Sequence, residues 1–215
     1  TMATLNEIAY NIRNVASGGV ASDDTDVSLR QIKFMVHYHR ANLLLKYTDN
    51  GKKASSILFQ VDELKPKASG AILKPFVGFN GDRALRSIAY KDDSSVDASF
   101  DILPIVQHHD RSFVNESRFI KLSGKKITTI SDGKIFVWEG DSIVSDGVLE
   151  INAIFSNPTE VSSYLGDDSP YPISEELIAV LLENVLKTEF NVLSATNPNG
   201  PNNQADEKQA PRKQK

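Results

Sequence analysis

The spacing of apolar residues in this chain changes twice. It is helical up to about Tyr47, falls to every second residue from Ser55 to Phe155, and is helical again from Glu175 to Leu193. Side chains return to one face of a helix about every 3.6 residues but alternate across a strand, so the order of the two periods restricts the fold class. The expectation is α+β: a helical hairpin at the N-terminus and one C-terminal helix around an antiparallel all-β meander or barrel-like middle, followed by a polar tail. The implied divisions are a helical segment over 1–50, a β domain over 55–156, a C-terminal helix over 173–194 packed with the N-terminal helices, and an extended tail over 195–215.

Local signals support the helices. Thr4 and Glu7 have capping-box spacing, and Leu5, Ile8, Ala9, Ile12 and Val15 follow at helical period up to Gly18-Gly19. Ser28 and Gln31 repeat that spacing after the acidic stretch Asp23-Asp24-Thr25-Asp26. Ser174 is placed as an N-cap for the last helix, with Glu175 and Glu176 in its first turn. The core face of that helix is expected to be Leu177, Ile178, Leu181, Leu182, Val185 and Val192.

Candidate strands are Ser56–Val61, Ala71–Phe79, Ala84–Lys91, Phe100–Val106 and Phe113–Leu122, then Lys126–Ser131, Lys134–Glu139, Ser142–Val144 and Val148–Phe155. Asn80-Gly81, Asp132-Gly133 and Asp146-Gly147 suit type I′ hairpins because both central positions tolerate positive φ. Ser123-Gly124 is a fourth candidate turn. Trp138 is expected as a strand anchor.

The segment from Ser28 to Tyr47 carries the most information about partners. One apolar stripe runs Leu29, Ile32, Val36, Leu43, and a second runs Phe34, Tyr38, Ala41, Leu45. A helix apolar on two sides lies between two surfaces, one of which can belong to a neighbouring chain. Arg30, Lys33, His37 and Arg40 are spaced to form a basic face between them. With a net charge of −4 and a pI near 5.6, and with no aromatic platform among these basic residues, protein contact ranks above nucleic acid. The expected partner-binding set is Arg30, Lys33, Phe34, His37, Tyr38 and Arg40.

Catalytic and metal chemistry finds little support. There is no cysteine, which removes disulfides and thiolate sites. His37 and His39 point to different helix faces, and His108-His109-Asp110 lacks further ligands at a zinc spacing. Asp23 to Asp26 lacks the ligand alternation of an EF-hand. Neither Ser17-Gly18-Gly19 nor Ser69-Gly70 forms a nucleophile elbow, and no phosphate-binding glycine loop is present. Asp92-Asp93 and Asp167-Asp168 read as solvated turn acids. No catalytic residue, metal or cofactor is therefore expected. No apolar run reaches membrane-spanning length and no signal peptide is evident, so the expectation is a soluble protein made in the cytoplasm. Beyond Ala195 the chain is polar and carries four basic and two acidic residues. That is a net +2 on the tail, and −6 on the remainder.

Leu5-Asn6-Glu7-Ile8-Ala9-Tyr10, and Ser28 to Phe34 leading to Tyr38, Arg40, Ala41 and Leu43, resemble the opening of virion structural proteins of crAss-like phages. Ser169-Pro170-Tyr171-Pro172-Ile173 ahead of the last helix, and the Asn/Gln-rich tail, are similar to the same proteins. The likeness covers about the first 47 and the last 45 residues; the middle matches in style only. It implies a non-enzymatic head-to-tail connector in the virion neck, assembled in the host cytoplasm. Such a protein forms a closed ring, expected to be a dodecamer, beneath the portal. It contacts further neck and tail ring proteins and continues a channel through which double-stranded DNA passes. Three alternatives stand beside this reading: another virion component (a capsid decoration or tail part), a small β-sandwich hydrolase, or a DNA-binding module using the basic helix face.

Overall fold

A computed structural model describes residues 3–17, 27–49, 55–77, 84–92, 100–110 and 125–190. Three α-helices and nine strands are found among them. Helix α1 spans Leu5–Ala16 and α2 spans Leu29–Asp49. The capping box at α1 is complete: Thr4 Oγ1 accepts from the Glu7 amide at 3.1 Å, and Glu7 Oε2 accepts from the Thr4 amide at 2.9 Å. At α2, Ser28 Oγ accepts from the Gln31 amide at 3.2 Å, and Gln31 Oε1 accepts from the Ser28 amide at 2.9 Å. Each pair satisfies two backbone donors that a helix start leaves unbonded. Helix α3 spans Glu175–Glu189 and packs against both α1 and α2. Ser174 stands at its N-cap position, but its buried side chain makes no capping bond. Val15, placed on the apolar face of α1 by spacing, is about half exposed.

The middle forms two sheets rather than a closed barrel. The first runs β1 (Gln60–Leu64), β9 (Val148–Ala153), β3 (Leu85–Lys91) and β4 (Asp101–Leu103), antiparallel throughout. The second runs β2 (Ala71–Ile72), β7 (Lys134–Glu139), β6 (Ile127–Ser131) and β5 (Ile105–Gln107), with β8 (Ser142–Val144) also paired to β7. Among the described residues only β6-β7-β8 is a meander, and β5 joins β6 in parallel. The expected strand over 56–61 begins as a single 3-10 turn, Ser56–Leu58. The candidate strand Phe113–Leu122 and the turns Asn80-Gly81 and Ser123-Gly124 lie outside the described residues, as do Gly18-Gly19, Asp23 to Asp26, Val192 and the tail.

Two Asp-Gly pairs have different roles. Asp132 and Gly133, at φ 51° and 69°, join β6 to β7 through the register Ser131 to Lys134. That is the two-residue hairpin expected of the pair. Asp146-Gly147, expected to form another, instead carries the chain from β8 in the second sheet to the central strand β9 of the first. Gly147 is still required: its φ is +83°, and a Cβ there would lie 2.5 Å from the Lys91 carbonyl oxygen. The β7–β8 hairpin turns instead at Gly140-Asp141, with Gly140 at φ 60°.

Strand β9 buries Leu149, Ile151 and Ala153 by strict alternation. These residues belong to one continuous core with Ile8 and Ile12 of α1, Val36 and Leu44 of α2, and Leu181 and Val185 of α3. The helices therefore cover the sheets instead of forming a separate body. Trp138 is buried in β7 and donates its indole N–H to Thr129 Oγ1 at 2.9 Å. No helix among the described residues is long and apolar enough to cross a membrane.

Candidate interaction surface

Helix α2 shows two apolar faces. Ile32, Val36 and Leu44 are fully buried, with Leu29 and Leu43 packed beside them. On the opposite face Phe34 is 71 % exposed and Tyr38 is 58 % exposed, and they line up with Leu45 further along the helix. Isolated apolar residues on a surface are ordinary, whereas these three stand in one row on the outer face of the helix. Tyr38 is held on one side by an edge-to-face contact with His39, ring centroids 5.4 Å apart. His39 is itself bonded to Glu189 of α3 at 2.9 Å. The row thus stands on a helix anchored from behind. Arg30 is exposed at its N-terminal end.

The remaining basic residues turn inward, which corrects the expectation of one basic face. Arg40 is fully buried. Its Nε donates to the Pro172 carbonyl at 2.8 Å and its Nη1 to the Phe155 carbonyl at 2.9 Å, and the guanidinium lies 5.5 Å from the Tyr171 ring centroid. Burial lowers its pKa, because the charged form loses hydration. Lys33 pairs with Asp167 at 2.5 Å. His37 Nδ1 lies 2.8 Å from the Tyr171 hydroxyl. These three side chains hold the segment leading into α3.

That segment is a tied-down strap, in spite of its Pro, Asp and Ser content. Tyr164 donates its hydroxyl to Asp167 at 2.9 Å. Asn6 donates its amide to the Asp167 carbonyl at 3.2 Å and its side chain to Asp168 at 2.5 Å. Thr4 and Pro170 form a bridge, and the Tyr171 amide donates to the Ala3 carbonyl at 3.0 Å. Asp167 and Asp168 therefore serve as acceptors for α1, α2 and Tyr164 rather than as solvated turn acids. Ion pairing with Lys33 holds the Asp167 carboxyl below its ordinary range. Burial pushes the Tyr171 and Tyr164 hydroxyls up.

His37 gives the strap a pH response. Burial first, and the Arg40 charge second, lower its pKa from 6.5 to about 4. Above pH 6.5 the ring is neutral in folded and unfolded chains alike and adds no pH dependence. Between pH 6.5 and 4 the unfolded chain takes up the proton first, so stability falls, by up to about 3 kcal/mol at the low end. Asp167 adds to the loss only at lower pH, as its carboxylate is protonated. Urea midpoints measured from pH 7 to 4.5 should therefore decline, and a His37→Gln chain should show a visibly smaller decline. Equal slopes for the two chains would exclude His37 as the source.

Other sequence candidates do not gather into a site. His109 is exposed and lies 3.5 Å from Asp110. Among the described residues no group of three His, Asp or Glu side chains could hold a metal ion. An open groove of about 800 Å³ lies between Thr4, Tyr10, Asn11, Asp168 and Ile178.

Comparison with known families gives the class first: the chain is a structural component of a phage virion. The family model of phage tail ring protein 2 (CrAss ring 2) matches residues 7–208, and the chain belongs to that family. A search of curated proteins returned no match. The family match extends through the β middle, where the sequence offered no recognisable signature.

Proposed function

We propose that the chain is a non-enzymatic subunit of a phage head-to-tail connector. Copies form a closed ring, a dodecamer matched to the portal, in the neck of the virion. The ring sits under the portal, continues the DNA channel and docks further neck and tail ring proteins. Double-stranded DNA passes through without being gripped, in keeping with the net charge of −4. Assembly takes place in the host cytoplasm, without a membrane.

The observation that carries this reading is the outward row of Phe34, Tyr38 and Leu45 on a helix whose other face is built into the core. Family membership supports a ring, and a ring subunit must bury surface against two neighbours. Phe34, Tyr38 and Arg30 form the contact set, while Lys33, His37 and Arg40 hold the helix and strap that present it. Sedimentation velocity and negative-stain imaging, with and without portal protein, test the proposal. The expected result is a closed oligomer, formed either alone or only on the portal. A chain that stays monomeric and indifferent to portal protein would remove it.

A further inference from the structure

A closed ring of more than two copies joins each subunit head to tail, so its interface needs two different patches on the same chain. If the α2 row is one, the other lies elsewhere on the chain, and the described residues offer a candidate. Most remaining exposed large apolar residues stand singly, such as Ile72, Leu165 and Val180. The exception is the run from Phe100 to Ile105. Ile102 is 77 % exposed, Ile105 46 % and Phe100 37 %.

This run occupies a special place in the fold. Strand β4 ends the first sheet and β5 ends the second, and Pro104 joins them. Among the described residues β4 pairs only with β3, and β5 only with β6. The segment thus passes from the border of one sheet to the border of the other, with branched apolar side chains outward. Pro104 has no N–H to offer a further strand, which favours side-chain docking over strand addition. An apolar row on a helix and an exposed apolar run on another copy each lose water-exposed surface when they pack together.

Charge sets the direction. Arg30 stands exposed at one end of the α2 row, and Asp101 stands exposed within the edge run. Neither has an ion-pair partner among the described residues. Opposite charges at the border of an apolar contact fix its register more than its strength. We infer that the α2 row of one copy packs on the Phe100–Ile105 run of the next copy, with Arg30 set against Asp101 of that copy. The inference rests on the ring reading and specifies which surfaces meet.

Because the chain contains no cysteine, introduced thiols report the contact directly. Full-length Asn42→Cys and Gln107→Cys chains, substituted beside the two apolar surfaces so that Phe34, Tyr38, Ile102 and Ile105 are kept, are mixed, with portal protein and without it, and treated with a short bis-maleimide. The mixture should give a covalent pair that neither chain gives alone, and a chain carrying both substitutions should give a ladder of multimers. Arg30→Asp in the first chain should lower the yield several-fold, and Asp101→Arg in the second should restore it. Linkage of the Asn42→Cys chain to itself, at the expense of the mixed pair, would mean that α2 rows meet two-fold and would overturn the inference. Rings that form without the mixed cross-link would overturn it while leaving the ring reading in place. Chains that stay monomeric and unlinked under both conditions would overturn both.

Discussion

Replacing Arg40 with alanine should lower the stability of the protein by about 3–5 kcal/mol, more than most single substitutions can. The substitution removes the donor to two buried carbonyls, those of Pro172 and Phe155. A buried acceptor left without a partner costs roughly 1–3 kcal/mol, and the cavity left by the side chain adds to that. For a chain of this length each kcal/mol moves the melting temperature by roughly 2–4 °C, so a fall of about 10 °C is expected. Two further variants separate the contributions. Arg40→Met keeps most of the volume and removes a buried charge that, among the described residues, is met by carbonyls and the Tyr171 ring and not by a carboxylate, so it should cost less than Arg40→Ala. Arg40→Lys keeps the charge but lacks the planar fork that reaches both carbonyls, and should fall closer to alanine. Proteolysis should then cut the strap between Tyr164 and Ile173 sooner than in the parent chain. An Arg40→Ala chain within 1 kcal/mol of the parent would show that the buried guanidinium contributes little net stability.

Arg40 also marks where sequence reasoning ended. Its spacing from Arg30, Lys33 and His37 suggests a shared basic face, but it also stands four residues after Val36 and eight after Ile32, both buried. The position alone was a signal that its side chain follows the core stripe. What periodicity could not supply were the acceptors, carbonyls at Phe155 and Pro172, far away in sequence. The capping residues Thr4, Glu7, Ser28 and Gln31 were legible because their bonds span three positions. Asp132-Gly133 was legible for the same reason. Asp146-Gly147 was not, because whether a turn closes a hairpin or changes sheets depends on which strands β9 finds, not on the turn. The two faces of α2 could be read from spacing. The outward run at Phe100 to Ile105 could not, since those residues look like any strand until the sheet order makes them its border.

The largest effect on assembly is expected from the outer face of the same helix. Replacing Phe34 and Tyr38 together with serine should leave the fold intact and disable the ring. Both side chains are largely exposed in the isolated chain, so their removal leaves no cavity, and exposed substitutions usually change stability by less than about 0.5 kcal/mol. In an interface the balance reverses. Aromatic anchors at the centre of a contact commonly contribute 2 kcal/mol or more each, and two of them amount to roughly a thousandfold in the affinity of one subunit for the next. Ring closure multiplies the loss, since every copy makes the weakened contact twice. The double variant should therefore melt where the parent does, yet sediment as a monomer at concentrations where the parent is assembled, and fail to build on the portal. Arg40→Ala predicts the reverse order of events: a lower melting temperature, with assembly intact in whatever fraction stays folded. The two results together would separate the inner face of α2, which holds the fold, from the outer face, which holds the neighbour. Rings of normal size and stability from the Phe34→Ser, Tyr38→Ser chain would mean that the row has another purpose.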